Sequence, residues 1–171
     1  MKTPTGWHLS GNAKQHYEIG IDTKVKYQGK QSGYITSTVD SDQFATLMQS
    51  FQPSSKYLEK RLQLTAYIKT EKVTKWTGLW MRIDGPQDKE LGFDNMLNRP
   101  INGDTDWTQY SIVLDVPRDV VFIAFGVLLV GSGKVWIDKI EFKLVDDTVP
   151  VTDMNKSIRT EPINLGFEET S

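Results

Sequence analysis

RLQLTAYIKT, residues 61–70, alternates Leu62, Leu64, Ala66 and Ile68 with Arg61, Gln63, Thr65, Tyr67 and Lys69. An apolar period of two residues marks a strand with one buried face and one open face. GLWMRID, residues 78–84, repeats the pattern, with Leu79, Met81 and Ile83 on one side and Trp80, Arg82 and Asp84 on the other. DGP at 84–86 then reads as a turn. WTQYSIVLDV (107–116), closed by Pro117, is a third strand. VVFIAFGVLLV (120–130) is almost wholly apolar, as a central strand covered on both faces must be. GSG makes a turn, and KVWIDKIEFKLV (134–145) follows as a fifth strand. Upstream, KVKYQGKQSGYITS (24–37) reads as two short strands about a turn near Gln28 and Gly29, and FATLMQSF (44–51) as a strand or one short helical stretch. No segment sustains a 3.6-residue apolar period. Short strands broken by Gly and Pro predict an all-β sandwich or barrel.

Composition narrows the function classes. The chain has 171 residues, 38% of them apolar and 25% charged, which suits one domain with one core. The formal net charge is −2 and no block of Lys or Arg stands out. Direct binding to a nucleic-acid backbone is therefore not expected. The longest apolar run, residues 120–130, is too short to span a bilayer, and the opening MKTPTGWHLSG lacks the apolar core of a secretory signal. A cytoplasmic location is the expectation. There is no Cys, which excludes disulfides and thiolate metal sites.

The order of short motifs resembles carbohydrate-binding modules with the galactose-binding-like jelly roll. The likeness rests on Gly6-Trp7, the stretch Gly29 to Tyr34, Met48 to Phe51, Trp107 to Tyr110, the Val116-Pro117 strand end, and Gly133 to Ile140. It implies a jelly-roll β-sandwich over residues 1–145. A narrower likeness, carried by GLWMRIDGP, FDNM, RPI and DTDW, is to a bacterial family of small proteins often labelled transcriptional regulators or appended to AraC-type regulators. No helix-turn-helix pattern appears in this chain.

Residues 146–162 have no clean period and read as an extended connector. Seventeen residues reach on the order of 55 Å when stretched, enough to cross a domain of this size. Beyond it, Ile163, Leu165 and Phe167 alternate again, so 163–171 reads as a last strand. The resemblance gives this strand a place. Modules of this kind begin with an Asn-x-x-Phe-Glu-like strand shortly before the Gly-Trp, and here Asn164 to Glu168 carries that pattern at the opposite end. It implies a circular permutation, the C-terminal strand docking on its own domain in a monomer or on a neighbour in a strand-swapped dimer.

Trp80, Arg82 and Asp84 form the first candidate site. An aromatic ring stacks on the apolar face of a pyranose, while charged groups hydrogen-bond its hydroxyls. Asp94, Asn95 and Arg99 complete the polar set, and Tyr67 with Lys69 lies on the outward side of its strand. The competing reading is structural: Arg82 pairs with Asp84 or Asp94, and Trp80 caps the core. Trp107, Tyr110, Trp136 and Trp7 read as core, Trp76 as exposed. The resemblance also raises a calcium site at Asp138 and Glu168, but two carboxylates fall short of the six to eight oxygens calcium takes. GSGK at 131–134 lacks the phosphate-loop spacing and reads as a hairpin turn. No nucleophile elbow or HExxH is present, and the two His, His8 and His16, lie in the irregular opening. The expected function is a non-catalytic, carbohydrate- or polyol-binding module, needing no cofactor. The alternative is a regulatory or protein-interaction domain linked to transcription, with a protein partner and no sugar.

Overall fold

The computed structural model describes residues 3–155, 161, 162, 164–168 and 170. Nine antiparallel strands carry the fold: β1 (His8–Ser10), β2 (Tyr17–Asp22), β3 (Ser32–Ser37), β4 (Phe44–Phe51), β5 (Lys60–Asp84), β6 (Glu90–Asp94), β7 (Ile101–Val116), β8 (Phe122–Val130) and β9 (Gly133–Val145). Among the described residues the helical elements are 3-10 turns at Lys14–His16, Ser55–Tyr57 and Pro86–Asp88. The architecture is the jelly-roll sandwich expected from the sequence. FATLMQSF is a strand, paired with β1 and β8.

The two alternating runs that decided the fold are halves of one strand. The first half of β5 pairs with β7 and β9; the second half pairs with β8 and β6. One sheet is therefore β1-β4-β8-β5-β6, the other β7-β5-β9-β3-β2. β5 changes sheet through register shifts between Ile68 and Thr77, with Lys72 in the left-handed region at φ 54°. The Asp104 side chain accepts from the Lys72 N–H at 3.0 Å, and the Thr70 hydroxyl donates to the Gly103 carbonyl at 3.0 Å. These bonds take up backbone groups that the bulges leave out of the ladder.

The core fills the space between the sheets. Leu62, Leu64 and Ile68 from one half of β5 meet Leu79, Met81 and Ile83 from the other, with Leu47, Ile112, Leu114 and Ile123, all fully buried. Phe51, Phe125 and Phe142 pack edge to face, with centroids 4.8 to 6.1 Å apart. The GSGK stretch is not a hairpin turn. β8 and β9 belong to different sheets, so Gly131 to Gly133 is a corner between them. The Tyr17 hydroxyl reaches both the Gln43 and Gly131 carbonyls at 2.9 Å and ties that corner to the loop before β4.

Two further expectations change. Residues 24–27 form no strand; β3 pairs instead with β2, and β1, at His8–Ser10, lies in the opening read as irregular. The 23–28 loop is held by carboxylates: Asp22 accepts from the Lys24 and Val25 N–H groups, and Asp138 from those of Tyr27 and Gln28. The returning C-terminal strand is also not formed by its described residues. Asn164 to Phe167 makes a turn closed by the Phe167 N–H on the Asn164 carbonyl at 3.1 Å, and Leu165 and Phe167 are 75% and 85% exposed. Ile163 lies outside the described residues. The element that does return is earlier and polar. The Thr152 N–H bonds the Val113 carbonyl on β7, and the Met154 N–H bonds the Phe93 carbonyl on β6, both at 2.8 Å. Buried Asp153 accepts from the Asn155 N–H at 2.9 Å. This segment bridges the edge strands of the two sheets, which protects both from further pairing. Its backbone hydrogen bonds do the docking, so it needs no apolar period.

Gly126 sits where β8 passes β4 most closely; an added Cβ would lie 2.1 Å from the Leu47 carbonyl oxygen. Gly126→Ala is expected to cost about 3 kcal/mol or more, at the upper end for overpacking, and to lower the melting midpoint by about 10 °C in a thermal scan. Gly29→Ala, in open space, carries only the penalty of its positive φ of 70° and should shift it far less. Burial disfavours ionisation of Asp22, but the N–H groups of Val25 and Lys24 and the Trp136 indole outweigh it and hold its carboxyl below the ordinary value. A lowered folded value means stability that is present above about pH 3.9, the unfolded value, and lost as pH falls through the folded one. Asp22→Asn should therefore flatten the acid limb of stability below about pH 4, read by melting the two proteins across that range.

Candidate functional site

Sheet packing buries the odd-numbered side chains in the second half of β5 and turns the even-numbered ones outward. Trp80 and Arg82 thus face the open side of the β1-β4-β8-β5-β6 sheet, where Thr46 and Met48 of β4, Leu128 of β8 and Phe93 of β6 join them. His8, Ser10 and Gly11 form one rim, Phe44 closes an end, and Asn95 stands past the end of β6. Together they line a depression of about 370 Å³. A satellite apolar cluster of Trp80, Ala124 and Leu128, flanked by Met48, Trp76, Phe93 and Val130, forms its floor. Trp76 therefore packs against this cluster rather than standing free.

Trp80 is fixed from below. Its indole Nε1 donates to the Thr46 hydroxyl at 2.7 Å, and that hydroxyl donates to the Val127 carbonyl at 2.9 Å. Arg82 Nε donates to Asp84 at 2.8 Å, and its guanidinium carbon lies 5.8 Å from the Trp80 ring centroid. The Arg82 and Asp84 side chains are 40% and 16% exposed. Three of the expected site residues, Trp80, Arg82 and Asn95, line the depression, and Asp84 supports it through Arg82.

The remaining three lie elsewhere. Asp94 pairs in register with buried Met81 and points inward with it. It is fully buried and takes two bonds from Arg99, at 2.5 and 3.1 Å, plus the Met96 N–H at 2.9 Å. Arg99 also donates to the Ser111 carbonyl at 3.1 Å. This internal network pins the 95–99 turn to β7; it does not face the depression. Tyr67 stands on the outer face of the opposite sheet, stacked on Tyr27 at 3.8 Å with Trp107 6.0 Å from Tyr27. The stacked pair clamps the 23–28 loop. Trp136, expected in the core, is buried on that same outer face, with its indole on Asp22 at 2.9 Å.

The residues that sequence reasoning missed come from other strands: His8, Ser10, Phe44, Thr46, Met48, Phe93 and Leu128. The outward positions of β4 and β8 could have been found only with the pairing register in hand. Asp138, the calcium candidate, places Oδ2 on the Tyr27 and Gln28 N–H groups and Oδ1 on that of Lys139, while Glu168 is exposed in the tail. Among the described residues no three His, Asp or Glu side chains converge as a metal would require, and no helix is long and apolar enough to cross a membrane. A second opening of about 480 Å³ is lined by Trp7, Leu47 and Ile137 together with Gln31, Asp138 and Lys139.

No family model matches the chain. A relative from Bacillus subtilis (strain 168), named an uncharacterized HTH-type transcriptional regulator, YbfP, is 49% identical over 172 residues, covering 98% of this chain and 58% of the relative. The chain thus spans little more than half the length of the curated relative it matches. Among solved structures, the enzymatically active domain of bacteriophage CBA120 tailspike protein 4 is similar over 82% of this chain and 20% of its own, with a TM-score of 0.63 at 15% identity. The CBM22-1 xylan-binding domain of Paenibacillus barcinonensis Xyn10C is similar over 85% of this chain and 89% of its own, with a TM-score of 0.58 at 14% identity. These likenesses establish a jelly-roll fold shared with carbohydrate-binding modules.

The two ion pairs should respond differently to mutation. Arg99→Ala leaves the Asp94 carboxylate buried and short of its partner, and is expected to destabilise by about 3 kcal/mol or more. Arg82→Ala breaks a partly exposed pair and should cost about 1 kcal/mol or less. Denaturant titration of both variants measures the contrast; equal losses would mean that the Arg82 pair is structural too.

Proposed function

We propose that the chain is a non-catalytic carbohydrate-binding module whose site is the depression over Trp80 on the outer face of the β1-β4-β8-β5-β6 sheet. The observation that carries this reading is the depression itself: an aromatic and aliphatic floor, edged by Arg82, Asn95, Ser10 and His8, on the outer face of the sheet. An apolar floor with a few oriented polar groups is what a small polar ligand with one apolar face requires. The shared fold with a xylan-binding module supports the class and does not specify the sugar. A second reading has its own support. The 49% identical relative carries the name of an HTH-type regulator and is longer than this chain. On that reading the domain is a regulatory part of such a protein, and the same face meets a protein partner. The two readings converge if the sugar is the signal.

Thermal unfolding against a panel of soluble oligosaccharides, with and without calcium, tests the first reading. A ligand at about 100 times its dissociation constant adds roughly 2.7 kcal/mol, which raises the midpoint by about 5 to 10 °C in a domain of this size. The shift should vanish in Trp80→Ala. Because Trp80 is buried and bonded to Thr46, Phe44→Ala provides a gentler second variant at the rim, and it should weaken the shift. Silence from the whole panel at saturating concentration would reject the sugar reading in favour of a protein partner.

A further inference from the structure

The polar edge of the depression differs from one side to the other. A neutral sugar offers hydroxyls that both donate and accept, so a site that grips it closely uses acceptors as well as donors. Among the described residues no aspartate or glutamate lines the depression, and the open neutral acceptors, Ser10 and His8, belong to the β1 rim, away from Arg82. The acceptors beside Trp80 are already in use. The Thr46 hydroxyl accepts from Trp80 and donates to Val127, and the Asn95 Oδ1 accepts from the Leu97 N–H at 3.1 Å. What remains open on that side is donors: the Asn95 amide nitrogen and the guanidinium of Arg82. Asp84 holds Arg82 by Nε alone, leaving both Nη nitrogens without a partner among the described residues. The terminal edge of a guanidinium presents parallel N–H groups at the spacing of a carboxylate.

We infer that the ligand is an acidic saccharide, a uronate, whose ring lies on Trp80 and whose carboxylate is taken by the Nη edge of Arg82. Asp84 then acts as a positioning residue: its bond to Nε fixes the plane of the guanidinium and turns the open edge to the groove. The Asn95 amide adds a donor on the same side. The inference rests on the carbohydrate-binding reading and sharpens it.

The test is isothermal titration of the intact chain with oligogalacturonate and oligomannuronate, each against its methyl ester, and with neutral oligosaccharides of the same length. The ester keeps the rings and removes the charge. Losing a charged hydrogen-bonding partner should weaken binding about 10- to 100-fold, and the preference for the acid should shrink as salt is raised. Arg82→Gln should abolish the preference for acid over ester while leaving the melting midpoint nearly unchanged. Arg82→Lys should keep part of it, as a point charge without the fork. Acid and ester binding equally well to the unmodified chain, or a preference that survives in Arg82→Gln, would overturn the acidic-ligand inference and leave the sugar reading intact. Tight binding of a neutral oligosaccharide alone would do the same. No binding of any acid, ester or neutral sugar would overturn both.

Discussion

The corner in β5 is the constraint on which the rest of the molecule depends. Before it, even-numbered residues face the core, as Leu62, Leu64, Ala66 and Ile68 do; after it, odd-numbered residues do, as Leu79, Met81 and Ile83 show. A strand keeps strict alternation, so this change of phase requires extra residues at the bend. The register shifts between Ile68 and Thr77 supply them, stabilised by Asp104, Thr70 and the close approach of Gly133 to Val73. Without the phase change, Trp80 and Arg82 would point into the core and Leu79 and Met81 into water. One local irregularity therefore joins the two sheets and creates the face that carries the candidate site.

The same corner marks the boundary of what could be read from residues alone. The two alternating runs were plain, and so was the outward set Trp80, Arg82 and Asp84. That both runs belong to one strand was not, because KVTKWTG between them has no period and looks like a loop. On the sequence pattern Tyr67 falls beside Trp80, whereas in the fold it stands on the opposite sheet, stacked on Tyr27. The inward direction of Asp94 is hidden from the sequence for a related reason. Its direction follows from pairing with Met81, and that pairing is set by the turn after Asp84, where Gln87 and Asp88 both adopt positive φ and the ladder slips by a residue. Nothing in the composition of that turn announces the slip. The bridging segment around Thr152 to Asn155 has no hydrophobic pattern to read, because backbone groups, the Thr152 hydroxyl and Asp153 make its attachment.

The ion pairs differ in character. Asp94 and Arg99 combine full burial of the carboxylate with hydrogen bonds to both of its oxygens, so their geometry belongs to folding: they anchor the turn that ends the β6 side of the sheet. Arg82 and Asp84 have the opposite character. Their pair is partly solvated, engages one nitrogen of the guanidinium, and lies beside an aromatic ring. A pair that served stability alone would gain from closing both nitrogens on the carboxylate, as Arg61 does with Asp115 through Nε and Nη2 at 2.8 and 3.2 Å. The two arginines thus differ within one strand: Arg61 closes two nitrogens on its carboxylate and Arg82 only one.

The support beneath the depression also limits how it can respond to a ligand. Trp80 is held by Thr46, Thr46 by Val127, and Thr77 by Leu128, so three adjacent strands are cross-tied under the floor. Such a floor is preorganised: little side-chain entropy remains to be lost when a ring settles on it. The rim is different. β1 is three residues long, pairs among the described residues with β4, and contributes His8 and Ser10 from the sheet edge. Local stability follows the number of buried contacts and ladder bonds, so β1 is the part of the site that opens most easily. A ligand that touched both floor and rim would therefore do its conformational work on β1, tightening an edge strand over a fixed platform. If the domain reports occupancy to the rest of a longer protein, that loosely held edge is the natural exit for the signal, because the platform is cross-tied over three strands.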